Sequence, residues 1–465
     1  MSTQEATAEP NTLYEKRKKI YNRSVTGVFA NWRWIMVWVT QLVFYGLCWM
    51  PWNGRQAVLF DLVERKFYIF GLVLWPQDVF YLAILLIISA YGLFLFTAIG
   101  GRLFCGYACP QTVYTEIMMW IEKKVEGDRN ARMKLDQQPM SARKLGLKFT
   151  KHALWIVVAL WTGFSFAGYF TPIKTLGHDL VSWQLGPWQT FWIFFYAFAT
   201  YGMAGFMREQ VCKYMCPYAR FQSVMFDPDT LIVTYDEARG EPRGARSKKE
   251  DYKAAGKGDC VDCGICVQVC PTGIDIRHGL QYECIGCSAC IDGCDEVMDK
   301  LGYPRGLIRY STERAMENHW STKEIVGHVF RPRIFIYTSI LILITLAAAW
   351  AISARLPLKM DVIRDRNALA REVEDGLIEN VYTLRIMNTD EQPHTYRLSV
   401  TGLPGLTMTT AQEVTLPAAS TQSITTSLRV MPEGDKKGSQ PVFIDIVDKD
   451  TPSIKLHEKA AFFLP

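Results

Sequence analysis

Eight of the chain's 13 cysteines fall between Cys260 and Cys294, in two runs of the same spacing. Cys260, Cys263, Cys266 and Cys270 read C-x2-C-x2-C-x3-C before Pro271; Cys284, Cys287, Cys290 and Cys294 repeat it before Asp295. A close triplet lets three thiolates reach three irons of one cubane, while the fourth cysteine of each run reaches the other cubane. This is the bacterial two-cluster ferredoxin pattern. The spacing therefore predicts two 4Fe–4S clusters. One would sit on Cys260, Cys263, Cys266 and Cys294, the other on Cys284, Cys287, Cys290 and Cys270. Gly264 and Gly286 stand where backbone must pass close to sulfur. Zinc sites pair two C-x2-C units, or Cys with His, and a cytoplasmic segment disfavours disulfides, so both alternatives fit the spacing less well.

Four more cysteines form a repeated pair. Cys105-Gly-Tyr-Ala-Cys109-Pro110 and Cys212-Lys-Tyr-Met-Cys216-Pro217 are both C-x3-C-P, with Tyr107 and Tyr214 at the same offset. On a helix the cysteines of each pair share a face, and the proline frees the second at a helix end. Soft thiolates, two or four together, suit Cu(I), zinc or an iron–sulfur centre. Buried structural cysteines are the plain alternative, weakened by the second copy. Nearby Arg102, Arg208 and Lys213 would favour thiolate over thiol. Cys48 stands alone in an apolar run, and Met203, Met207 and Met215 read as gap fillers rather than copper ligands. His152 lacks a partner for a bis-histidine haem. No G-x-G-x-x-G or Walker A loop marks a nucleotide site. Asp259, Asp262, Asp292 and Asp295 read as a solvated acidic rim.

The elements that must hold these cysteines are apolar. Of 465 residues 49% are apolar and 21% charged, which excludes a disordered chain or a collagen-like repeat. Five runs approach the roughly 20 apolar residues that a spanning helix needs: Ile35–Trp52, Val79–Gly100, Ala153–Phe170, Thr190–Met207 and Ile334–Ser353. Helices of a soluble core would keep a polar stripe. The C-x3-C-P motifs follow the second and fourth runs. Lysine and arginine collect in residues 1–34 (Lys16, Arg17, Lys18, Lys19, Arg23, Arg33). They collect again between the second and third runs (Lys123, Lys124, Arg129, Arg132, Arg143, Lys144, Lys148, Lys151). The positive-inside rule then puts residues 1–34, that loop and residues 208–333 in the cytoplasm. The formal charge of +5 is thus a topology signal and gives no reason to invoke nucleic acid. Residues 1–34 carry no cleavable signal pattern.

The expected fold class is a multi-domain membrane protein of about five transmembrane α-helices. Residues 35–207 form a four-helix membrane domain, and residues 208–333 carry the second C-x3-C-P motif and a ferredoxin domain at about 250–300. The fifth helix is 334–353, and 356–465 form a periplasmic domain. In that last domain Tyr382, Leu384 and Ile386 alternate with polar residues, as do Tyr396, Leu398 and Val400, then Ile424, Leu428 and Val430, then Val442, Ile444 and Ile446. With turn signals at Leu403-Pro404-Gly405 and Pro432-Glu433-Gly434-Asp435, this is the pattern of an antiparallel, immunoglobulin-like β-sandwich. It contains no cysteine and reads as a spacer or interaction module.

In the order of these elements the chain resembles the FixG/CcoG/RdxA family of cytochrome c oxidase accessory proteins over nearly its full length. The resemblance rests on both C-x3-C-P motifs, the run Cys260–Cys294, Tyr303-Pro-Arg-Gly-Leu-Ile-Arg-Tyr-Ser-Thr-Glu313 and Tyr382-Thr-Leu-Arg-Ile-Met-Asn388. It implies a multi-pass protein of the bacterial inner membrane, an oxidoreductase that reduces Cu(II) to Cu(I) for maturation of cbb3-type oxidase. The implied partners are membrane lipid, copper ions, a copper-exporting ATPase, oxidase assembly factors and an electron donor of unknown identity. Carried over by position, the eight ferredoxin cysteines hold the clusters, and Cys105, Cys109, Cys212 and Cys216 form the copper or terminal redox site. Membrane subunits of the NapH/NosR type share the layout. Quinol oxidation feeding a periplasmic partner is therefore one alternative function, and a non-catalytic, redox-sensing assembly scaffold is another.

Overall fold

A backbone without water must satisfy its own hydrogen bonds, so long apolar runs fold as helices, and all five expected runs do. The computed structural model describes residues 19–246, 253–254, 256–365, 370–373, 376–410, 412–432 and 437–465. The cations at Lys16, Arg17 and Lys18 and the Glu433-Gly434-Asp435 part of the predicted turn lie outside the described residues. The helices are α1 (Val28–Leu47), α2 (Val79–Gly100), α3 (Leu103–Tyr107), α4 (Pro110–Glu126), α5 (Arg129–Gln137), α6 (Ala142–Ala167), α7 (Ile173–Val181) and α8 (Pro187–Thr200). They continue with α9 (Pro217–Met225), α10 (Glu237–Gly240), α11 (Ile265–Val269), α12 (Ala289–Leu301), α13 (Glu313–Glu317), α14 (Thr322–Gly327) and α15 (Pro332–Ser353).

Three helices, Pro76–Gly100, Pro187–Met207 and Pro332–Ser353, are long and apolar enough to cross a membrane. Large apolar side chains are exposed on every long helix, among them Leu42, Leu86, Val157, Phe198 and Leu343. An apolar solvent explains that exposure and water does not. The boundaries move by more than two residues at three of the five runs. α1 starts at Val28 and stops at Leu47, because Pro51–Trp52 (β1) pairs with Arg55–Gln56 (β2) across an Asn53-Gly54 turn. Both turn residues have positive φ, the hairpin geometry that Asn-Gly favours. α6 begins at Ala142, in the basic segment. The fourth run is α-helical only to Thr200 and continues as π-helix over Tyr201–Met207.

The chain divides into two units. The first holds the described residues up to Val43, with Gly92–Phe164 and Phe191–Thr338. In it α11 and α12 flank the cysteine runs, backed by the antiparallel pair Ile232–Tyr235 (β6) and Ile308–Ser311 (β7). α4 carries Glu122, 2% exposed, which binds Arg132 at 2.7 Å and Arg208 at 3.0 Å, with Lys151 alongside. Burial opposes ionisation there, but these three cations outweigh it and hold the carboxyl below its ordinary range.

The second unit holds Phe44–Tyr91, Ser165–Thr190 and Ser339–Pro465. After a meander of Val58–Asp61 (β3), Lys66–Ile69 (β4) and Leu72–Leu74 (β5), buried Asp78 accepts from Arg355 at 2.7 Å and from Lys359. The remaining strands are Leu358–Arg364 (β8), Arg371–Glu372 (β9), Ile378–Asn388 (β10), His394–Thr401 (β11), Thr407–Met408 (β12), Glu413–Leu416 (β13), Thr421–Val430 (β14), Gly438–Asp448 (β15) and Lys455–Leu464 (β16). One sheet runs β12-β14-β10-β8, with β9 added to β10, and the other β13-β11-β15-β16. The alternating residues Leu384, Ile386, Tyr396, Leu398, Val442, Ile444 and Ile446 interlock between the sheets, each at most 1% exposed. The expected sandwich is present.

Candidate functional site

Each cysteine run wraps a short loop in which two residues take left-handed backbone. In the first loop these are Asp262 (φ 54°) and Gly264 (φ 64°), on either side of Cys263; in the second, Gly286 (φ 66°) and Ser288 (φ 59°), on either side of Cys287. The two glycines foreseen as close-approach positions thus occupy different halves of one shared geometry, and Asp262 and Ser288 fill the others. The loops face two cavities. One is lined by Cys260, Cys263, Cys266 and Cys294. The other is lined by Cys270, Cys284, Cys287 and Cys290, with Cys266 between.

The fourth cysteine of each run therefore faces the other run's triplet. Electrostatics follow the same division. Burial pushes the Cys294 thiol up to about 12, and Cys266, Cys263, Asp295 and Cys260 add to the rise. Burial also pushes Cys284 up to about 12 and Cys287 up to about 11, with Cys270 adding to each. Cys290 lies well above its ordinary value for the same reason. Such thiols become thiolates only when a metal supplies the opposing charge. Among the described residues no three Cys, His, Asp or Glu side chains close on a point, as a single-ion site needs. Eight sulfurs around two cavities fit iron–sulfur cubanes instead.

The acidic rim is solvated only in part: Asp262 is exposed as expected, whereas Asp259 and Asp292 are buried. Asp292, 7% exposed, accepts from the amides of Phe29 and Ala30 at the start of α1. A β-carbon at Gly27 would fall 2.4 Å from its carboxyl. Asp259 pairs with Arg239, Asp262 with Arg277, and Asp295 accepts from the Gly306 amide at 3.0 Å. The segment before α1 and α1 itself reach both cysteine runs. The Asn22 amide donates to the Cys270 carbonyl at 2.7 Å, and Arg33 Nη1 donates to the Cys287 carbonyl at 2.7 Å.

The first C-x3-C-P motif turns as expected. Cys105 lies on α3, Cys109 is extended, and Pro110 opens α4. The second departs from expectation, because Cys212 lies in a π-helix, Val211–Met215, closed by a Cys216 amide bond to the Val211 carbonyl at 2.8 Å. π-Turns concentrate at functional sites. The tyrosines also differ. Tyr107 bonds with Ser288 and Tyr310 beside the second cysteine loop, whereas Tyr214 is 60% exposed.

The pairs converge nonetheless. After burial, Cys109 and Cys216 are the charges that raise Cys212 to about 11, and Cys105 and Cys212 pack on the apolar cluster that contains Cys287. Arg102 lowers Cys212 as foreseen, but burial wins, and Arg208 is spent on Glu122 and the Gly205 carbonyl. The closest link was not foreseen. A β-carbon on Gly106 would lie 2.8 Å from the Gly286 carbonyl oxygen and 2.9 Å from the Cys287 amide nitrogen. The first C-x3-C-P loop therefore sits backbone to backbone on the second cysteine loop. Cys48 donates to the Tyr45 carbonyl at 3.2 Å and takes no part.

A model of a 4Fe–4S binding domain matches residues 82–126, one of a 4Fe–4S dicluster domain matches 207–313, and one of the Ig-like fold at the C-terminus of FixG matches 348–465. The chain is 40% identical over 434 residues to nitrogen fixation protein FixG of Rhizobium meliloti, covering 87% of this chain and 83% of that one. It belongs to the FixG/RdxA family. Another member, RdxB of Cereibacter sphaeroides, is 41% identical over 427 residues, 89% of each chain. Outside the FixG/RdxA group, ferredoxin-type protein NapH of Haemophilus influenzae is 24% identical over 47% of this chain and 68% of its own. As a FixG/RdxA member with a dicluster domain, the chain is an iron–sulfur electron-transfer protein of the membrane.

Proposed function

We propose that this protein reduces Cu(II) to Cu(I) in the maturation of a cbb3-type cytochrome c oxidase. Cys260, Cys263, Cys266 and Cys294 would hold one 4Fe–4S cluster, and Cys270, Cys284, Cys287 and Cys290 the other. The clusters supply one-electron transfer. Cys105, Cys109, Cys212 and Cys216 would receive copper as substrate: binding displaces the thiol protons to solvent, each ion then takes one electron, and the soft thiolates retain the Cu(I) product better than Cu(II). The observation that carries this assignment is the seat of Gly106 on Gly286 and Cys287, which leaves no solvent between the copper-facing loop and a cluster loop. Five membrane spans, with the cysteines at the cytoplasmic face and the sandwich in the periplasm, follow the distribution of lysine and arginine. A copper-exporting ATPase and oxidase assembly factors would receive the product.

Iron-loaded protein, reduced with dithionite and freed of the excess, should reduce Cu(II), and the quadruple serine variant at Cys105, Cys109, Cys212 and Cys216 should lose most of that rate while retaining iron. An unchanged rate would overturn the site. Quinol oxidation is the second reading, supported by a cavity of about 140 Å³ between Trp34, Trp120, Cys212 and Cys287. Cluster reduction by a quinol, without dithionite, would favour it.

A further inference from the structure

The two cysteine cavities differ in charge. The cavity lined by Cys260, Cys263, Cys266 and Cys294 has Arg277 at its wall, but Arg277 is engaged by Asp275 at 2.6 Å and by Asp262. Asp295 also faces Cys294. Cys263 is exposed. The cavity lined by Cys270, Cys284, Cys287 and Cys290 is flanked by Arg33 and Arg102, 7% and 6% exposed. Their bonds run to carbonyls: Arg33 to Cys287 at 2.7 Å, and Arg102 to Cys284 at 3.3 Å, to Ala219 at 2.6 Å and to Tyr282. Glu116 and Asp292 face Arg33 from α4 and α12, yet neither arginine forms an ion pair among the described residues.

A cluster gains negative charge when reduced, so a buried cation beside it favours the reduced state, and burial without one disfavours it.

We propose that Arg33 and Arg102 raise the potential of the centre framed by Cys270, Cys284, Cys287 and Cys290 above that of its neighbour. An electron from a low-potential one-electron reductant then settles beside Gly106, where copper is reduced. Both act as positioning residues for the electron, through charge. The inference rests on the cluster assignment made above.

The test is an EPR-monitored redox titration of the full-length, iron-loaded protein with dithionite. Wild type should give two components. Arg33→Gln and Arg102→Gln should each lower only the higher one, by at least a tenfold change in its reduced-to-oxidised ratio, or 59 mV for one electron. Arg277→Gln should move only the lower one. Arg33→Lys keeps the charge and should keep most of the potential, and it serves as the readout if the glutamine variant loses iron. Shifts of the wrong component, shifts of neither, or a full drop in Arg33→Lys would overturn the inference. Fewer than two components in wild type with full iron content would instead overturn the cluster assignment beneath it.

Discussion

Replacing Gly106 should break the passage of electrons without removing either cluster. A β-carbon there would meet the Gly286 carbonyl oxygen at 2.8 Å, against the 3.4 Å at which ordinary contact begins, so the loops must part by about 0.6 Å. The obstacle is backbone on a cysteine loop, which cannot swing aside as a flexible side chain would. Overpacking of this kind costs about 1–3 kcal/mol for alanine, and a β-branched residue sits at the upper end. Gly146 on α6 is the control, because nothing lies within 4 Å of the β-carbon it would carry. Gly146→Ala should be neutral or stabilising by up to ~1 kcal/mol, the helix-propensity gain. The assay compares iron content, apparent unfolding midpoint and Cu(II) reduction for Gly106→Ala, Gly106→Val and Gly146→Ala. Expected are full iron content, midpoints falling in the order alanine then valine, and reduction slowed in the same order. Reduction by Gly106→Val as fast as by Gly146→Ala would refute the claim that this contact carries the electron.

Glu122→Gln leaves Arg132, Arg208 and Lys151 buried around a neutral amide, and should cost about 3–5 kcal/mol, read as a lower unfolding midpoint. The native carboxyl titrates below its ordinary 4.5. The stability it contributes is therefore complete above that pH and is lost as pH falls through the lower folded value. Unfolding midpoints measured downward from pH 6 should decline below about pH 4.5 in wild type and less steeply in Glu122→Gln. Asp292→Ala removes the acceptor for the first amides of α1 and should cost about 1–2 kcal/mol in unfolding free energy. Tyr107→Phe should lower the midpoint by the equivalent of about 1 kcal/mol, whereas exposed Tyr214→Phe should leave it unchanged, if the two motifs have diverged as described.

Much of this architecture is legible in the sequence, for identifiable physical reasons. Period-two alternation at Tyr382–Ile386 and Val442–Ile446 fixes which side chains enter the sandwich. Cubane geometry fixes which cysteine of each run must cross to the other. Charge-free runs mark the long helices. What escapes notice depends on partners distant in sequence. Arg33 looks like one more cation before a span, but only folding brings it to Cys287, and the acids read as a solvated rim are consumed by α1, Arg239 and Arg277. Gly106 carries no signal beyond its identity, because the loop it must clear lies at Gly286. The second C-x3-C-P motif matches the first in residue types, yet its backbone follows π rather than α geometry, a difference invisible in the spacing.

The central claim, that electrons pass from the clusters to copper at the C-x3-C-P cysteines, is tested most directly by one single-turnover experiment. Iron-loaded protein, reduced and freed of excess reductant, is mixed anaerobically with Cu(II) while cluster absorbance and Cu(I) are followed together. Wild type should reoxidise its clusters with one Cu(I) formed per electron lost, and the quadruple serine variant should keep its clusters reduced. Cluster reoxidation at the same rate in both proteins would contradict the account.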